Sequence, residues 1–322
     1  MSVLVTGAAG FIGSHLTERL LREGEEVVGL DNFNDFYDPG IKERNLAVAR
    51  SHAGFTEIRG DIRDSGVLDS MGDDIDSVVH LAARAGVRPS ISDPVGYADV
   101  NVVGTVSLLE FARRRQIKPF VFASSSSVYG NNSKIPFSED DPVTQPVSPY
   151  AATKRAGELL CHTATHLDDT ACVCLRLFTA YGPRQRPDLA IHRFTSLLAD
   201  GESIPVFGDG STVRDYTYID DLIEGIIGAL GWAREHPATF EIVNLGESRM
   251  VSLSDMISVV ANTLGVEPVI DRRPLVPGDV LRTHADVSKA GRLFGYEPRT
   301  DFVDGVGRFV EWYMETAAPG SV

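Results

Sequence analysis

The amino terminus places a short apolar strand directly before a glycine-rich turn and an apolar-periodic helix, in the order Ser2-Val3-Leu4-Val5-Thr6-Gly7-Ala8-Ala9-Gly10-Phe11-Ile12-Gly13-Ser14-His15-Leu16. Glycines let backbone N–H groups approach phosphate oxygens, and the start of a helix adds unpaired amides and the positive end of its dipole. The spacing, G-x-x-G-x-x-G, departs from the commoner G-x-G-x-x-G fingerprint of dinucleotide sites. The sequence predicts a pyrophosphate-binding turn formed by Gly7, Gly10, Phe11, Ile12 and Gly13.

A second strand ends in an acid at the distance expected of a ribose-binding carboxylate. Val27-Val28-Gly29-Leu30-Asp31 follows the first helix, and Asp31 stands where such an acid would hydrogen-bond the adenosine ribose hydroxyls. A carboxylate there favours NAD, because it would repel the extra phosphate of NADP, and no arginine follows immediately. The plainer alternative is a solvated acid at a strand end.

Composition limits the partners and the cellular location. The 322 residues carry 30 basic and 45 acidic side chains, and the resulting net charge of -15 argues against a nucleic-acid partner. No run approaches the roughly 18 apolar residues needed to cross a bilayer, and the start lacks the pattern of a signal peptide. We therefore expect no membrane association and a cytoplasmic location. Cys161, Cys172 and Cys174 lack metal-ligand spacing, so no metal site is predicted.

Short apolar runs alternate with helix-like segments through the first half of the chain. The runs predicted as buried strands cover 55–59, 77–81, 120–123 and 171–175. This alternation predicts an α/β fold with a Rossmann-type doubly wound parallel sheet, whose ligands gather at the carboxyl ends of the strands. From Tyr181 onward the regularity fades. We expect a Rossmann domain over 1–180 and a smaller C-terminal substrate-binding lobe over 181–322, with some of its segments returning to the first domain.

Candidate ligand contacts follow several of these strands. Asp61 and Ile62 are expected near the adenine, the run Leu81-Ala82-Ala83 beside the cofactor, and the run Ser124-Ser125-Ser126-Ser127 near the nicotinamide. Because the carboxyl ends of parallel strands meet at one edge of the sheet, these runs are predicted to line one cleft.

Tyr150 and Lys154 are four residues apart and are predicted to share one face of a helix. Ser148 is a favourable N-cap and Pro149 suits the first helical position, so the helix is expected to begin there. A phenol is a poor proton acceptor at neutral pH, but a neighbouring ammonium stabilises the phenolate and lowers its pKa. The pair is therefore a candidate catalytic base, although such spacing also occurs in ordinary surface pairs.

Together these motifs resemble the extended short-chain dehydrogenase/reductases of the nucleotide-sugar epimerase and dehydratase group. The matching segments span nearly the full chain: 6–13, 61–64, 80–83, 101–105, 124–130, 150–154, 214–216 and 277–280. The resemblance implies tightly bound NAD, with Asn32, Asn34 and Asn101 added to the cofactor site. It also implies that Ser125, three residues before Val128-Tyr129-Gly130, is catalytic beside Tyr150 and Lys154.

Within that group, the sequence is most similar to UDP-glucuronate 4-epimerases. The run 31–38 resembles their segment after the second strand, and Ala83-Arg84-Ala85-Gly86-Val87-Arg88 resembles their Ala-Gln-Ala-Gly-Val-Arg, with Arg84 a departure. The segment 178–190 resembles the part of those enzymes that meets a sugar acid. The resemblance implies NAD-dependent 4-epimerisation of a UDP-sugar, UDP-glucuronate to UDP-galacturonate, through a 4-keto intermediate. The substrate-binding residues that it implies are Arg88, Ser126, Ser127, Thr179, Arg186, Arg214 and Arg282.

Related activities are separable by single positions. Nucleotide-sugar 4,6-dehydratases carry an Asp-Glu pair after the catalytic Thr, and UDP-glucuronate decarboxylases carry a Glu just before Val-Tyr-Gly; here these positions are Ser126 and Ser127. UDP-glucose 4-epimerase remains an alternative activity, and a catalytically inactive NAD-binding sensor or scaffold is the alternative from another class.

Family resemblance also implies a homodimer, because the amphipathic segments 100–111 and 151–160 pair with their copies in related enzymes.

Overall fold

The computed structural model describes residues 2–274 and 282–317. Its strands are Ser2–Thr6 (β1), Glu26–Asp31 (β2), Phe55–Arg59 (β3), Ile75–His80 (β4), Pro119–Ser125 (β5), Ala171–Leu177 (β6), Thr179–Tyr181 (β7), Ile204–Phe207 (β8), Val213–Tyr218 (β9), Phe240–Leu245 (β10), Met250–Ser252 (β11) and Ile270–Arg273 (β12). Its α-helices are Phe11–Arg22 (α1), Pro39–Asn45 (α2), Ala47–Arg50 (α3), Ser65–Asp69 (α4), Val87–Ser92 (α5), Pro94–Ala98 (α6), Gly104–Arg115 (α7), Pro149–Asp168 (α8), Ala190–Ala199 (α9), Ile219–Glu235 (α10), Leu253–Leu264 (α11), Ser288–Phe294 (α12) and Phe302–Ala317 (α13). A π-helical turn covers Asp99–Val103, and a 3-10 turn covers Ser126–Tyr129.

The central element is a seven-stranded sheet in the order β10-β6-β5-β4-β1-β2-β3. All of its strand pairs are parallel. The chain moves outward from β1 in both directions, so β1 and β4 form the switch point at which doubly wound sheets bind ligands. β10 belongs to this sheet although it lies far beyond residue 180. The predicted Rossmann-type α/β fold is confirmed.

Both faces of the sheet are covered, and the strand residues alternate between two cores. Val3, Val5 and Val27 pack with α1 and α10 on one face, whereas Leu4 and Val28 pack with α4, α7 and α8 on the other. This alternation follows from the two-residue period of a strand. A parallel sheet buried on both faces explains why its strands read as continuous apolar runs.

The rest of the chain adds two smaller sheets beside the carboxyl edge of the main one. Their strand orders are β11-β9-β7 and β12-β8. β7 begins two residues after β6 ends, so the chain leaves the main sheet directly at the ligand edge. Within residues 2–274 and 282–317, no helix is long and apolar enough to span a membrane.

Candidate active site

A cavity of about 640 Å³ lies at the carboxyl edge of the main sheet, above the switch point. Its wall is built from the glycine turn, the ends of β2 to β6, and the start of α8. The predicted site residues that line it are Gly7, Gly10, Phe11, Ile12, Gly13, Asp31, Asn32, Asn34, Asp61, Ile62, Leu81, Ala82, Ala83, Ser125, Ser126, Ser127, Tyr150, Lys154, Thr179 and Arg186. One cavity thus collects residues from seven separate stretches of sequence.

The glycine turn has the shape that a pyrophosphate requires. Gly7 has φ +73°, and a Cβ there would lie 2.9 Å from the backbone nitrogen of Ala82. At Gly13 a Cβ would lie 2.1 Å from the carbonyl oxygen of Gly7, so only glycine allows α1 to approach the turn. No side chain caps α1 and no acid lies in its first turn, which leaves its amides to an anionic ligand. The turn therefore fits the pyrophosphate of a dinucleotide.

Asp31 ends β2 at the cavity wall and is held by three donors. Its Oδ2 accepts from the backbone N–H of Ala9 at 3.1 Å, and its Oδ1 accepts from the backbone N–H of Phe33 at 2.8 Å. The ammonium of Lys42, on α2, lies 3.2 Å from the same Oδ1. Sequence reasoning missed Lys42, because nothing in the spacing of 31–42 indicates that α2 folds back onto the strand end.

Asp61 forms a polar rim beside Asp31. Its carboxylate accepts from Nε and Nη2 of Arg63, at 2.8 and 2.7 Å, and from the side-chain amide of Asn32 at 3.0 Å. The hydrogen bonds from Arg63 hold the pKa of Asp61 well below its usual range. Asp61 is therefore a fixed negative acceptor for hydroxyl or amino donors of a ligand.

Asn101, which is predicted to contact the cofactor, is hydrogen-bonded to protein neighbours in this structure. It does not line the cavity, because its polar atoms are committed elsewhere: Oδ1 accepts from the backbone N–H of Arg84 at 2.8 Å. Its Nδ2 donates to the carbonyl oxygen of Arg84 and to Oγ1 of Thr153, both at 3.0 Å. Asn101 instead fixes the loop after β4 against α8.

α8 begins where the sequence predicts. The Oγ of Ser148 accepts from the backbone N–H of Ala151 at 3.1 Å, and Pro149 occupies the first helical position. Tyr150 is half-buried at the cavity wall, with its ring edge-on to that of Tyr97 at 6.3 Å between centroids. The start of the helix thus aims the phenol into the cleft.

The electrostatics around Tyr150 differ from the expectation that Lys154 lowers its pKa. Removal of the phenol from water raises the pKa of Tyr150, while a hydrogen bond with Ser125 and the charge of Arg186 lower it. The ammonium of Lys154 lies 6.0 Å from the Tyr150 ring centroid and donates to the carbonyl oxygen of Ala123 at 2.6 Å. Burial lowers the pKa of Lys154 to about 8. The ammonium of Lys154 is thus bonded to the Ala123 carbonyl, and the groups that lower the pKa of Tyr150 are Ser125 and Arg186.

The serine run is ordered by its own hydrogen bonds. The Oγ of Ser125 accepts from the backbone N–H of Ser127 and donates to the Oγ of Ser127, both at 3.1 Å. The chain turns into the 3-10 segment immediately after Ser125, so Ser126 and Ser127 also line the cavity. Three hydroxyls are therefore presented near the phenol of Tyr150.

Arg186 enters the cavity from the loop after β7. Its Nε and Nη2 donate to the two carboxylate oxygens of Asp188 at 2.9 and 2.7 Å, which forms a planar two-bond pair. The guanidinium also lies 5.4 Å from the ring centroid of Phe36. Thr179 lines the same region from the start of β7. A guanidinium and several hydroxyls together suit an anionic substrate group.

Three predicted arginines lie outside the cavity lining. Arg88 stacks on the ring of Phe207 with 5.1 Å between guanidinium and centroid. Arg214 donates to the carbonyl oxygen of Val213 at 2.9 Å, and the backbone of Arg282 forms an isolated parallel β-bridge with Val213. The structure therefore brings Arg214 and Arg282 together but not into the cleft. The predicted motif Pro277 to Val280 lies outside the described residues.

A buried ionic cluster lies behind Tyr150 and Lys154 on α8, and the sequence analysis does not predict it. Glu158 is fully buried and accepts from Nε and Nη2 of Arg176, at 2.9 and 3.1 Å, from Ser124 Oγ at 2.6 Å, and from Arg155 at 2.7 Å. Burial opposes its charge, but Arg176 and the other donors hold the pKa of Glu158 below its usual value. The four-residue spacing of Tyr150, Lys154 and Glu158 could have indicated the cluster, because it places Glu158 on the same helix face as the other two residues. The cluster ties α8 to β5 and β6.

Comparison with known proteins agrees with this geometry. The model of the NAD dependent epimerase/dehydratase family matches residues 3–246. UDP-glucuronate 4-epimerase 2 of Arabidopsis thaliana is 42% identical over 330 residues, which cover 98% of this chain and 76% of that protein. The UDP-glucuronic acid 4-epimerase of Bacillus cereus, solved in complex with UDP-glucuronic acid and NAD, superposes with a TM-score of 0.92 at 39% identity and covers 98% and 99% of the two chains. The UDP-glucose 4-epimerase of Thermotoga maritima, solved with UDP-glucose, gives 0.88 at 30% identity, covering 98% and 99%.

The family match includes the glycine turn, α8 and the loop that carries Arg186. The predicted family and the prediction of NAD as cofactor are confirmed. Among the described residues, no group of three or more metal-ligating side chains could hold a metal ion. The chain belongs to the NAD-dependent epimerase/dehydratase family.

Proposed function

We propose that the protein interconverts UDP-glucuronate and UDP-galacturonate by epimerisation at C4 through a transient 4-keto sugar. The observation that carries this proposal is the presence of Arg186 in the same cavity as Ser125, Tyr150 and Lys154. A guanidinium at that place supplies an anion site that a neutral hexose does not need. The Arabidopsis and Bacillus relatives named as UDP-glucuronate 4-epimerases support the choice of sugar.

Bound NAD supplies the chemistry of taking hydride from C4 of the sugar and returning it to the opposite face. Tyr150, as the phenolate, accepts the proton of the 4-hydroxyl, and Ser125 donates a hydrogen bond to the same oxygen as it becomes a carbonyl. Before the sugar binds, the hydrogen bond from Ser125 and the positive charge of Arg186 favour the phenolate, against burial of the phenol. When the sugar is bound, the single hydroxyl proton of Ser125 is donated to the substrate oxygen instead, and the charge of Arg186 continues to favour the phenolate. Lys154, anchored on the carbonyl oxygen of Ala123, places an ammonium at the nicotinamide side of the cleft.

A 4-keto glucuronate is a β-keto acid, which loses carbon dioxide when the bond to its carboxylate aligns with the carbonyl π system. An epimerase must therefore hold the carboxylate out of alignment. Arg186, Thr179, Ser126 and Ser127 are the groups that we assign to this task, by charge-assisted and neutral hydrogen bonds. Asp188 keeps the Arg186 fork planar and oriented through two hydrogen bonds.

Turnover of purified protein with UDP-glucuronate, UDP-glucose and their N-acetylated relatives, with products separated by chromatography, tests this proposal. We expect UDP-galacturonate from UDP-glucuronate and much slower conversion of the neutral sugars. Preferential conversion of UDP-glucose would favour the UDP-glucose 4-epimerase alternative. Bound NAD with no turnover of any UDP-sugar would favour a binding protein without catalysis.

We propose that two copies associate through α7 and α8. Val103, Val106 and Leu159 are 49%, 44% and 53% exposed, although each belongs to a helical segment whose opposite face is buried. Burial of these side chains against a second copy would remove apolar surface from water. Val106→Glu together with Leu159→Glu should give a monomer mass in light scattering at micromolar concentration, where the unmodified protein gives a dimer mass.

We also propose a cytoplasmic location and a functional division into a Rossmann domain, 1–180, and a substrate-binding lobe, 181–322. The three cysteines are buried free thiols, as suits a reducing compartment. The division is supported by the position of β7 and Arg186, which stand at the point where the chain leaves the main sheet.

A further inference from the structure

Lys42 is a buried lysine whose ammonium lines the cleft beside Asp31. Its side chain is 9% exposed, and lysine is rarely buried without a partner. The ammonium lies 3.2 Å from Asp31 Oδ1 and 5.4 Å from the ring centroid of Tyr37. All three residues line the cavity. Sequence reasoning placed a lone acid at the end of β2, whereas the structure places an ion pair there.

The ammonium has more donors than its protein neighbours use. A lysine carries three N–H donors. In residues 2–274 and 282–317, Asp31 is its hydrogen-bond acceptor, and Tyr37 offers only the face of its ring. The remaining donors can serve hydroxyl or phosphate oxygens of a ligand in the cleft.

α2 holds this ammonium firmly in place. Asn45, one helical turn after Lys42 and 4% exposed, donates to the carbonyl oxygen of Ala9 at 3.0 Å. The backbone N–H of Ala9 in turn donates to Oδ2 of Asp31. Lys42 and Asn45 therefore dock α2 onto both the glycine turn and the ribose-binding acid, so Lys42 is not a mobile surface lysine.

We propose that Lys42 is a cofactor-binding residue at the adenosine ribose, and that its charge sets how strongly Asp31 selects NAD over NADP. The proposal rests on the assignment of Asp31 to the adenosine ribose. An unpaired carboxylate would repel a 2′-phosphate, but Lys42 balances that charge. NAD is then selected for two reasons besides repulsion of the 2′-phosphate. Asp31 pairs with the Lys42 ammonium, which is then not available to a 2′-phosphate, and Asp31 also accepts hydrogen bonds from the ribose hydroxyls.

The contribution of Lys42 should become visible when Asp31 is neutralised. In Asp31→Asn, the ammonium loses its counter-charge and can pair with a 2′-phosphate. We expect the ratio of bound NADP to bound NAD to rise at least about tenfold over the unmodified protein, the size of one charge-assisted hydrogen bond. Holoenzyme is incubated with equal NAD and NADP until the bound ratio is constant, desalted and denatured, and the released cofactors are quantified by chromatography.

Second variants in the Asp31→Asn background decide the role of Lys42. Lys42→Met should lower the ratio of bound NADP to bound NAD most of the way to that of the unmodified protein, whereas Lys42→Arg should keep the raised ratio. Arg44→Met removes a charge from the exposed side of the same helix and should leave the raised ratio unchanged. The double variant Asp31→Asn/Lys42→Met leaves no unpaired buried charge, so folding is not at risk from that cause.

Two results would overturn the proposal: no rise in bound NADP for Asp31→Asn, or a rise that Lys42→Met does not diminish. Because cofactor content is measured without any sugar nucleotide, an error in the proposed sugar specificity would leave this test intact. If the unmodified protein binds neither NAD nor NADP, that result would instead refute the proposed function.

Discussion

The two sides of the cleft are built in different ways. The proposed catalytic side, with Ser125, Tyr150 and Lys154, stands on β5 and α8 and is backed by the fully buried pair of Glu158 and Arg176. The carboxylate side is Arg186 with its two contacts, Asp188 and Phe36, on loops. The Asp188 side chain is 41% exposed, and Phe36 is 39% exposed.

This contrast separates what the family shares from what selects a substrate. Hydride and proton transfer need reacting groups held in a fixed geometry. The buried Glu158–Arg176 pair provides it by tying α8 to β5 and β6. In the proposed function, a loop arginine recognises the sugar carboxylate, and its two neighbours lie on loops outside the core. Relatives that act on different UDP-sugars can therefore share the sheet and α8 while differing in the loop after β7.

The largest expected effect is on the catalytic side. Tyr150→Phe removes the only proposed acceptor for the 4-hydroxyl proton, so turnover should fall by roughly 10²–10⁴-fold, while NAD content and UDP-sugar binding stay normal. Steady-state turnover and the NAD released on denaturation measure the two quantities. Near-normal turnover would refute the assignment of Tyr150 as the base.

The buried support should be costly to break. Glu158→Gln leaves the Arg176 guanidinium buried without its counter-charge, so the free energy of unfolding should drop by about 3–5 kcal/mol. Urea unfolding followed by circular dichroism measures this. Ser124→Ala, which removes one neutral donor from the same carboxylate, is the matched control and should lose about 1–3 kcal/mol. Equal stability of Glu158→Gln and the unmodified protein would show that the catalytic side is not held by this pair.

On the carboxylate side, Arg186→Ala should weaken UDP-glucuronate binding by about 1.5–3 kcal/mol and spare UDP-glucose. The freed carboxylate can then align with the 4-keto group, so part of the sugar should be lost as carbon dioxide and a 4-keto pentose. Calorimetric binding of both UDP-sugars and chromatography of the products check this. Equal weakening for both sugars, without decarboxylation, would make Arg186 a diphosphate or structural residue.

The smallest effect is expected at the support of Arg186. Asp188→Asn removes an ion pair whose carboxylate side chain is 41% exposed and whose Arg186 side chain is 17% exposed, so the free energy of unfolding should fall by less than in Glu158→Gln. The KM for UDP-glucuronate should nevertheless shift, while that for UDP-glucose stays constant, because only the former needs the oriented fork. A loss of stability as large as that of Glu158→Gln would erase the distinction between the two sides.

Features carried by local spacing could be predicted from the sequence. The glycine turn, Asp31 at a strand end and the Tyr150–Lys154 pair each depend on neighbours within one element or one turn, and all of them line the cavity. Features that depend on distant packing could not. Lys42 reaches Asp31 only because α2 folds back onto the glycine turn, and the sequence carries no sign of that contact.

The arginines illustrate the same limit. The family resemblance implies that Arg214 binds substrate, but it does not indicate where the side chain lies. In the structure its guanidinium donates to the carbonyl oxygen of Val213. Asn101 was assigned to the cofactor, whereas its amide bonds the Arg84 backbone and so shapes the loop beneath it. The Asn101 contacts join residues 17 positions apart, whereas Arg214 donates to the carbonyl oxygen of the residue immediately before it.

The fate of the hydrogen at C4 tests the central claim most directly. UDP-glucuronate carrying deuterium at C4 is incubated with purified protein, and the UDP-galacturonate formed is examined by mass spectrometry and NMR. Removal and return of this hydrogen within the closed site, with Tyr150 handling only the hydroxyl proton, predicts that deuterium is retained at C4 in the product, with no carbon dioxide released. Loss of the deuterium to water, or the absence of UDP-galacturonate, would contradict it.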